Sequence, residues 1–322
     1  MSDLRLIMSP HYDIRLWGIE RLHPFDSCKY GRAWDGLRAR FGAALDGLRQ
    51  DPIAPVSDAD LLRVHTADHL ESLKRSAVLA TALEVPPLRW VPNVLLRSRL
   101  LAPMRWATQG TIDAALWAVQ NGCAINFSGG YHHAHADHGE GFCLFADVPV
   151  AISHLRANGK LSGTDKIVVI DLDAHRGNGW ETVCENDYAV QFFDVYNKRA
   201  YPGLLPPSKR FPEVYGMPSM VQGEEYLYYL HEHLPAFLDQ HRHAKLVFYN
   251  AGTDILTDDP IGRMDVSADE VVERDRYVID QLDERGLRWV MLPSGGYTNH
   301  SHELMQRAYG YAIEKHGNLK PV

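Results

Sequence analysis

The sequence lacks an excess of positive charge, a cysteine framework and long hydrophobic runs. Its 322 residues contain 33 Lys and Arg against 41 Asp and Glu, a formal net charge of −8. The basic field that holds a nucleic-acid backbone is therefore missing, and no nucleic-acid partner is expected. The 4 cysteines are too unevenly spaced for a zinc ribbon or a small disulfide scaffold, so reduced thiols are expected. No apolar run approaches the roughly 20 residues of a membrane helix, and the first residues lack the pattern of a secretion signal. A cytoplasmic protein without a membrane span is expected.

Two common catalytic signatures are missing as well. The sequence has no Gly-x-Ser-x-Gly elbow, which argues against nucleophilic serine chemistry, and no glycine-rich phosphate loop. With 45% hydrophobic and 23% charged residues, the composition is that of a globular chain and excludes disordered and fibrous architectures. No pattern indicates an oligomeric state.

Five short apolar runs predict buried strands of a mostly parallel sheet. They alternate with helical patterns at short intervals, which is typical of crossover connections. The predicted strands are 124–127, 167–170, 190–193, 246–249 and 289–292. Between them, residues 109–121 and 268–284 have apolar side chains at helical spacing, and Ser267 with Glu270 predicts a capping box.

The first hundred residues differ from the rest because prolines interrupt their helical stretches. We expect an N-terminal helical layer over residues 1–103, packed on a sheet core over 104–322 that carries the active-site loops. No linker or change of composition separates the two parts. One domain over 1–322 is therefore favoured over two.

Two aspartates and a histidine follow one predicted strand with alternate spacing. In an extended strand, residues two apart point to the same face, so Asp171, Asp173 and His175 are expected to project together. Carboxylate oxygens and an imidazole nitrogen suit zinc or a neighbouring first-row ion, and three protein ligands with an open position are typical of a hydrolytic metal site. Asp254, which follows another predicted strand, offers a ligand from a second loop. The alternative is that these residues only form turns and cap helices.

Four histidines fall on a loop that opens with two glycines. The adjacent pair, His132 and His133, can supply a general base and a general acid, because the unperturbed imidazole pKa of about 6.5 lies near neutrality. His135 and His138 follow in the same loop. The alternatives are a second metal site or a histidine-rich surface loop.

A third polar cluster, Ser294-Gly295-Gly296-Tyr297, follows the last predicted strand. Its glycines allow close approach of the backbone to a ligand, and the tyrosine hydroxyl can donate to a developing oxyanion. A plain turn with an anchoring tyrosine is the alternative. Taken together, the three clusters predict metal-assisted hydrolysis of an amide.

In their order along the chain, these motifs resemble those of zinc-dependent histone deacetylases of the arginase-like superfamily, with the class IV branch the most similar. The resemblance covers nearly the whole chain. The matching segments are 22–26, 62–66, 129–133, 141–143, 170–179, 194–197, 201–203, 249–256 and 294–297. It implies a single-domain three-layer α/β fold with a mostly parallel central sheet and helices on both faces.

The resemblance also implies two kinds of ion. Asp173, His175 and Asp254 match the ligands of one catalytic zinc ion, and iron(II) suits the same donors. A structural potassium ion is implied at Asp171 and Asp194, with the backbone carbonyls of Asp173 and His175 contributing.

The implied catalytic residues are a histidine pair and its supports. His132 and His133 match the tandem pair, Asp171 matches the aspartate that orients His132, and Tyr297 matches the oxyanion donor. Asn178 occupies the position beside His133 where class I relatives carry an aspartate. A neutral amide stabilises imidazolium less than a carboxylate does, so a lower pKa of His133 is expected. Class IV members share this asparagine.

A second contrast separates the chain from arginase-type enzymes, which hold two manganese ions. The positions of their second-metal carboxylates are occupied here by Gly177 and Leu256. A single catalytic metal ion is therefore expected.

The expected substrate is an acylated lysine side chain of a protein or peptide, with Gly141, Phe142 and Tyr201 matching positions that wall the acyl-lysine tunnel. The resemblance implies deacetylation and, from class IV relatives, removal of long fatty-acyl groups. One alternative is an amidohydrolase acting on small acylated amines such as acetylpolyamines. A second is a catalytically silent module that binds acyl-lysine.

Overall fold

The sheet of this protein is built from eight parallel strands within the part of the chain that the computed structural model describes, residues 3–15 and 25–322. Positions 22–24 of the first family motif lie outside that part. The strands are β1 (Leu4–Ile7), β2 (Arg49–Gln50), β3 (Cys123–Asn126), β4 (Ile167–Asp171), β5 (Val190–Asn197), β6 (Val214–Met217), β7 (Leu246–Asn250) and β8 (Trp289–Leu292).

The strand order is β2-β1-β3-β8-β7-β4-β5-β6, and every pairing is parallel. All five strands predicted from apolar runs are present, and the prediction of a mostly parallel sheet is confirmed. The central strands β3, β4, β7 and β8 are buried throughout. Burial on both faces explains why their sequences are continuously apolar rather than alternating.

Three strands were not predicted. β2 has two residues and β6 is only partly buried, so neither has a distinct apolar run. β1 (Leu4–Ile7) pairs with β3 through four residues, from Leu4 opposite Cys123 to Ile7 opposite Asn126. The N-terminal segment therefore supplies two strands to the sheet in addition to helices.

The helices form layers on the two faces of the sheet. They are α1 (Lys29–Phe41), α2 (Asp58–Leu61), α3 (Ala67–Ser72), α4 (Ser76–Ala82), α5 (Asn93–Leu96), α6 (Ala102–Asn121), α7 (Asp147–Ala157), α8 (Asn178–Val183), α9 (Gly223–Gln240), α10 (Ala268–Glu284) and α11 (Ser301–His316). One layer contains α6, which packs on β1, β3 and β8 and against α7. In the other, α1, α11, α10 and α9 contact one another in succession. This is the three-layer α/β arrangement expected from the resemblance.

The two predicted helices are present, and one is longer than predicted. α10 has the capping box formed by Ser267 and Glu270. α6 begins at Ala102 and continues from a π turn over Arg97–Leu101. Because Pro103 has no N–H to donate, the wider turn before it lets the helical path continue rather than break. The boundary expected at residue 103 thus falls in the first turn of α6.

One hydrophobic cluster joins the two parts, with buried members from Leu4 to Ile313. On this basis we propose that the chain folds as one unit. At the centre of the sheet, β3, β8, β7 and β4 are neighbours, so the loops that follow their carboxyl ends meet at one edge. The polar clusters of the sequence lie on these four loops.

Candidate active site

The strand register brings three polar side chains together at this edge. Asp171 is the last residue of β4, and it lies opposite Asp194 of β5 on one side and Asn250 of β7 on the other. All three are fully buried. Because the sheet is parallel, the residues that follow in each loop continue from the same level and converge above the sheet.

Asp173, His175 and Asp254 form a buried group that can hold a metal ion. Their ligand atoms all lie within 4.8 Å of one another. His175 Nδ1 is 2.9 Å from Asp173 Oδ1 and 3.0 Å from Asp254 Oδ2. The three residues are at most 2% exposed. Two of the three residues expected to project together, Asp173 and His175, are therefore in this group with Asp254 from a second loop, whereas Asp171 bonds His132 instead.

The backbone around this group fixes the two carboxylates. The N–H of Ala174 donates to Asp254 Oδ1 over 2.8 Å, and the N–H of Gly295 donates to Asp173 Oδ2 over 2.8 Å. A Cβ at Gly295 would lie 2.2 Å from an oxygen of Asp254 and 2.6 Å from an oxygen of Asp173. Glycine at 295 is thus required for the loop after β8 to approach the carboxylates so closely.

The buried charges of this group favour a cation between them. Burial, followed by the charge of Asp173, raises the pKa of Asp254 to about 7. Burial alone would lower the pKa of His175, but the two carboxylates outweigh it and raise the pKa to about 10. Both shifts have the same origin, since two carboxylates in a buried site are stabilised by positive charge placed among them.

His132 is held by a carboxylate below the site. Its Nδ1 is 2.8 Å from Asp171 Oδ2, and the other oxygen of Asp171 accepts a hydrogen bond of 2.9 Å from Asn250 Nδ2. The Nε2 atom of His132 lies 3.6 Å from Asp173 Oδ1. Burial lowers the pKa of His132, but Asp171 and Asp173 outweigh it and raise the pKa to about 9. The two carboxylates thus favour the cationic form of the ring.

His133 has a different support, made of an amide and a second carboxylate. Its Nδ1 lies 2.7 Å from Asn178 Oδ1, and Asn178 Nδ2 donates over 2.6 Å to Glu140 Oε1. Burial, followed by the positive charges of His132 and His175, holds the pKa of His133 well below its usual value. The two rings lie 4.1 Å apart between centroids, so one adjacent pair presents a cationic and a neutral imidazole.

Tyr297 lies beside the metal-binding group. Its ring centroid is 6.0 Å from that of His175, and its backbone N–H donates to Asp259 Oδ2 over 2.8 Å. Burial, followed by the charge of Asp254, raises the pKa of Tyr297 well above its usual value. The hydroxyl is therefore a hydrogen-bond donor at any physiological pH.

Lys29 of α1 anchors the loop that carries Tyr297. Lys29 is fully buried, and its Nζ donates to the carbonyls of Ser294 over 2.7 Å and Gly295 over 2.8 Å. Burial lowers its pKa to about 8.

The three predicted tunnel residues lie beside His133 or Tyr297. A Cβ at Gly141, whose φ is +51°, would lie 2.4 Å from His133 Cδ2 and 2.9 Å from Tyr201 Cε1. Tyr201 packs edge-on against His133 with ring centroids 4.9 Å apart. Phe142 lies 6.0 Å from Tyr297 between centroids. The three positions thus lie close to His133 and Tyr297, and Gly141 and Phe142 line the pocket described next, whereas Tyr201 is not among its lining residues.

A pocket of about 110 Å³ opens onto these residues and continues between apolar side chains. The predicted site residues that line it are His132, His133, Gly141, Phe142, Asp173 and Tyr297. Its far wall is aliphatic and comes from the N-terminal segment and the start of α6: Ile14, Leu83, Val85, Leu88, Leu100 and Met104. Asp171, Asn178, His175 and Asp254 lie behind the lining residues rather than on the pocket surface.

Asp194, the predicted potassium residue, lies beneath the site. Its Oδ2 accepts a hydrogen bond of 2.9 Å from the N–H of Gly177, whereas its Oδ1 is buried and has no hydrogen-bond partner among the described residues. Burial, followed by the charge of Asp171, raises the pKa of Asp194 well above its usual value. Two buried carboxylates on neighbouring strands thus share one small region.

Four supporting residues were not predicted from the sequence: Lys29, Glu140, Asn250 and Asp259. Asn250 stood within a recognised motif, so its place at the end of β7 could have drawn attention to it. Glu140, two residues after His138, has the pattern of a third ligand or partner in a histidine-rich loop. Lys29 and Asp259 give no signal, because each acts through backbone groups distant along the chain.

Comparison with known proteins identifies the class to which this fold and site belong. Residues 23–314 match the family described as the histone deacetylase domain. Histone deacetylase 2 of Arabidopsis thaliana is 39% identical over 305 residues, which cover 94% of this chain and 76% of that protein. The HD domain of HDA15 has a TM-score of 0.73 at 17% identity, covering 100% of this chain and 91% of that one. An HDAC homologue complexed with SAHA has a TM-score of 0.71 at 21% identity, covering 98% and 84%.

The chain belongs to the histone deacetylase family and is a histone deacetylase-like hydrolase. Its arginase/deacetylase-like α/β fold agrees with that of both solved structures. None of the helices in the described part is long and apolar enough to cross a membrane. All four cysteines are free thiols, as expected.

Proposed function

We propose that this protein is a metal-dependent deacylase that hydrolyses the amide of acylated lysine side chains. The observation that carries the proposal is the shared pocket onto which the histidine pair, Tyr297 and the carboxylate Asp173 open. A general base, a cationic imidazole, an oxyanion donor and a metal-binding group are parts with which an activated water can hydrolyse an amide.

Asp173, His175 and Asp254 would hold the catalytic ion. Two carboxylates and an imidazole suit a first-row divalent ion, and we propose one zinc ion, with iron(II) as the alternative. The close glycine at 295 and the two backbone N–H donors fit this assignment, because they fix the carboxylate oxygens while leaving His175 Nδ1 between them. Such an ion, when bound, polarises the amide carbonyl and lowers the pKa of an attacking water.

His133 would carry both proton transfers, and His132 would act through its positive charge. His133 is neutral because of burial and neighbouring positive charge, so it can accept the proton of the water. Its Nδ1–H is held by Asn178, which leaves Nε2 as the basic atom. His132, kept cationic by Asp171, would stabilise the negative charge that develops on the substrate, and the proton held by His133 would pass to the departing lysine amine.

Tyr297 would donate its hydroxyl hydrogen bond to the carbonyl oxygen as that oxygen becomes negative. Its raised pKa keeps the hydroxyl protonated, and the bond from its N–H to Asp259 fixes the start of the loop. Lys29 supports the same loop through the Ser294 and Gly295 carbonyls.

We further propose a structural potassium ion beside Asp171 and Asp194. The unpartnered Oδ1 of Asp194 and the register that brings the two aspartates together support a cation at this point. Backbone carbonyls of Asp173 and His175 would complete an oxygen-rich site for a hard monovalent ion.

The apolar far wall of the pocket supports a substrate with a longer acyl chain than acetyl. Leu83, Val85, Leu88, Leu100 and Met104 would contact carbons of the chain beyond the reacting carbonyl. Long-chain fatty-acyl lysine is therefore proposed beside acetyl-lysine. We also propose membership of the class IV branch, on the basis of Asn178, and a cytoplasmic location, on the basis of the free thiols.

The test is the rate of hydrolysis of one lysine peptide that carries an acetyl, octanoyl or myristoyl group, with zinc-loaded protein. Asp173→Ala serves as the blank. Met104→Trp, which adds bulk at the apolar wall, should lower the octanoyl-to-acetyl rate ratio by about tenfold or more. Val94→Trp, on the exposed face of α5, is the matched control and should leave the ratio unchanged.

Two other outcomes separate the alternatives. Faster turnover of acetylputrescine or acetylspermidine than of every peptide would favour an amidohydrolase of small acylated amines. Binding of acyl-lysine peptides by zinc-loaded protein without any hydrolysis would favour a catalytically silent module.

A further inference from the structure

A second group of potential metal ligands lies on the histidine-rich loop, outside the proposed catalytic ion site. The ligand atoms of His135, His138 and Glu140 all lie within 4.8 Å of one another. Glu140 Oε1 is 3.3 Å from His135 Nε2, and Glu140 Oε2 is 3.9 Å from His138 Nε2. The side chains of the three residues are 15%, 53% and 29% exposed, respectively, so an ion can reach them from solvent.

The ring of His135 is oriented by a threonine on α8. His135 Nδ1 lies 2.8 Å from Thr182 Oγ1, and that hydroxyl donates to the carbonyls of Asn178 and Gly179. With its own hydrogen directed to these carbonyls, the hydroxyl accepts from His135 Nδ1–H, and the lone pair of Nε2 faces Glu140 and Asn178 Nδ2, which lies 3.3 Å away.

The ring of His138 has the same arrangement on the other side. Its Nδ1 lies 2.7 Å from Asp137 Oδ1, so the carboxylate fixes the tautomer in which Nε2 is the free atom. The rings of His135 and His138 are parallel, with centroids 4.3 Å apart, and both Nε2 atoms face Glu140. A hydrogen bond from each Nδ1–H to an oxygen is the usual support of a histidine that binds metal.

We propose that His135, His138 and Glu140 form a second site for a divalent transition-metal ion such as zinc. Two imidazole nitrogens and one carboxylate oxygen are a donor set that zinc accepts, with water in the fourth position. Bonds of about 2.0–2.2 Å place tetrahedral ligands roughly 3.5 Å apart. The contacts of Glu140 with His135 Nε2 and His138 Nε2 already have nearly that length, at 3.3 and 3.9 Å. Rotation of the half-exposed His138 side chain brings its Nε2 to the same distance from His135 Nε2.

This second site is linked to the proposed general base through Glu140. The oxygen Oε1 of Glu140 accepts the hydrogen bond from Asn178, whose own oxygen holds His133 Nδ1. An ion bound to Glu140 neutralises part of the carboxylate charge that supports His133 through Asn178, and His133 then accepts a proton less readily. We therefore expect zinc in excess of the catalytic equivalent to slow turnover.

The test is equilibrium dialysis of the whole protein against zinc, with bound metal measured by elemental analysis. We expect about two ions per wild-type chain and about one for His138→Ala, because a two-ligand site binds weakly. Thr182→Val, which removes the support of His135, should weaken the second equivalent by about 10–100-fold. His243→Ala, at an exposed histidine that belongs to neither group of potential ligands in the described residues, is the matched control and should bind as the wild type does.

Retention of the first equivalent in each variant shows that it is folded, and this measurement does not depend on deacylation. A wild-type chain that binds only one ion would overturn the second site. So would a second equivalent that is unchanged in both His138→Ala and Thr182→Val. If the second ion binds but leaves the wild-type rate unaltered, the link through Asn178 is wrong while the site itself stands.

Discussion

The side chains behind His133 allow one negative charge to be moved closer to the ring while the two hydrogen bonds that link His133 to Glu140 are kept. In the native protein His133 Nδ1–H donates to Asn178 Oδ1, and Asn178 Nδ2–H donates to Glu140 Oε1. The double variant Glu140→Gln/Asn178→Asp keeps both bonds, because the new carboxylate at 178 accepts from His133 and from the new amide at 140. The position of the charge changes, and the longer contact of 3.3 Å between Asn178 Nδ2 and His135 Nε2 is given up.

The size of the effect follows from the two distances. His133 Nδ1 is 2.7 Å from Asn178 Oδ1. The Glu140 carboxylate lies on the far side of the Asn178 amide, which places it about 6–7 Å from His133 Nδ1. At an effective dielectric constant of about 20, moving a unit charge between these distances changes the interaction with imidazolium by about 3–4 kcal/mol, or about 2–3 pKa units. Glu140 is partly exposed, so solvent screening reduces this to about 1–2 units.

The expected result is an upward shift of the acid limb of the pH profile of kcat/KM. The pKa of His133 is held well below its usual value, so the native base stays neutral at mildly acidic pH. When its pKa rises, the base is protonated below the new pKa and activity is lost there, while activity at higher pH is retained.

The assay is hydrolysis of an acetyl-lysine peptide between pH 5 and 9 with one equivalent of zinc. Glu140→Gln alone, which removes the charge, should not move the limb upward. A double variant whose acid limb lies at or below that of the wild type would refute the reasoning.

Three further substitutions test the other parts of the site. Tyr297→Phe should keep its metal but turn over about 10²–10³-fold more slowly, the scale of one oxyanion donor; a nearly native rate would remove Tyr297 from the mechanism. Asp254→Ala should lose bound zinc and activity together, as checked by elemental analysis and peptide hydrolysis, and unchanged zinc content would contradict its role as a ligand. Lys29→Met should lower the free energy of unfolding in urea by about 2–4 kcal/mol, because the Ser294 and Gly295 carbonyls lose their buried donor. An unaltered unfolding curve would show that this anchor is dispensable.

The fold could be predicted where burial leaves a mark in the sequence. The central strands are apolar along their whole length because both of their faces are covered, and this makes them visible as runs. β2 and β6 are short or partly exposed at the edges of the sheet, and no pattern distinguishes them from loops. The turn before Pro103 also could not be foreseen, since proline alone favours a break and only the packing of α6 on the sheet keeps the helical path together.

For the site, the alternate spacing of polar residues after β4, together with the aspartate after β7, led from the sequence to the metal-binding group. Asp171, Asp173 and His175 belong to one segment, but β4 ends at Asp171, so Asp173 and His175 take their positions from the loop beyond the strand and Asp171 bonds His132 instead. The support of His133 was only half predicted: Asn178 was expected beside the ring, whereas the carboxylate of Glu140 beyond it depends on how the loop after β3 folds back onto α8. Such contacts between loops are set by tertiary structure and leave no local pattern.

The pocket combines two groups of residues that come from different stretches of the chain. Its aliphatic far wall is supplied by residues before 105, whereas the histidine pair, the carboxylate Asp173 and Tyr297 come from loops after 127. A substitution in the far wall can therefore alter which substrates fit while the proton-transfer groups keep their hydrogen bonds. Substitutions can thus change substrate selectivity without changing the reactive groups. Descendants of one ancestral enzyme could therefore acquire different substrates without passing through an inactive intermediate.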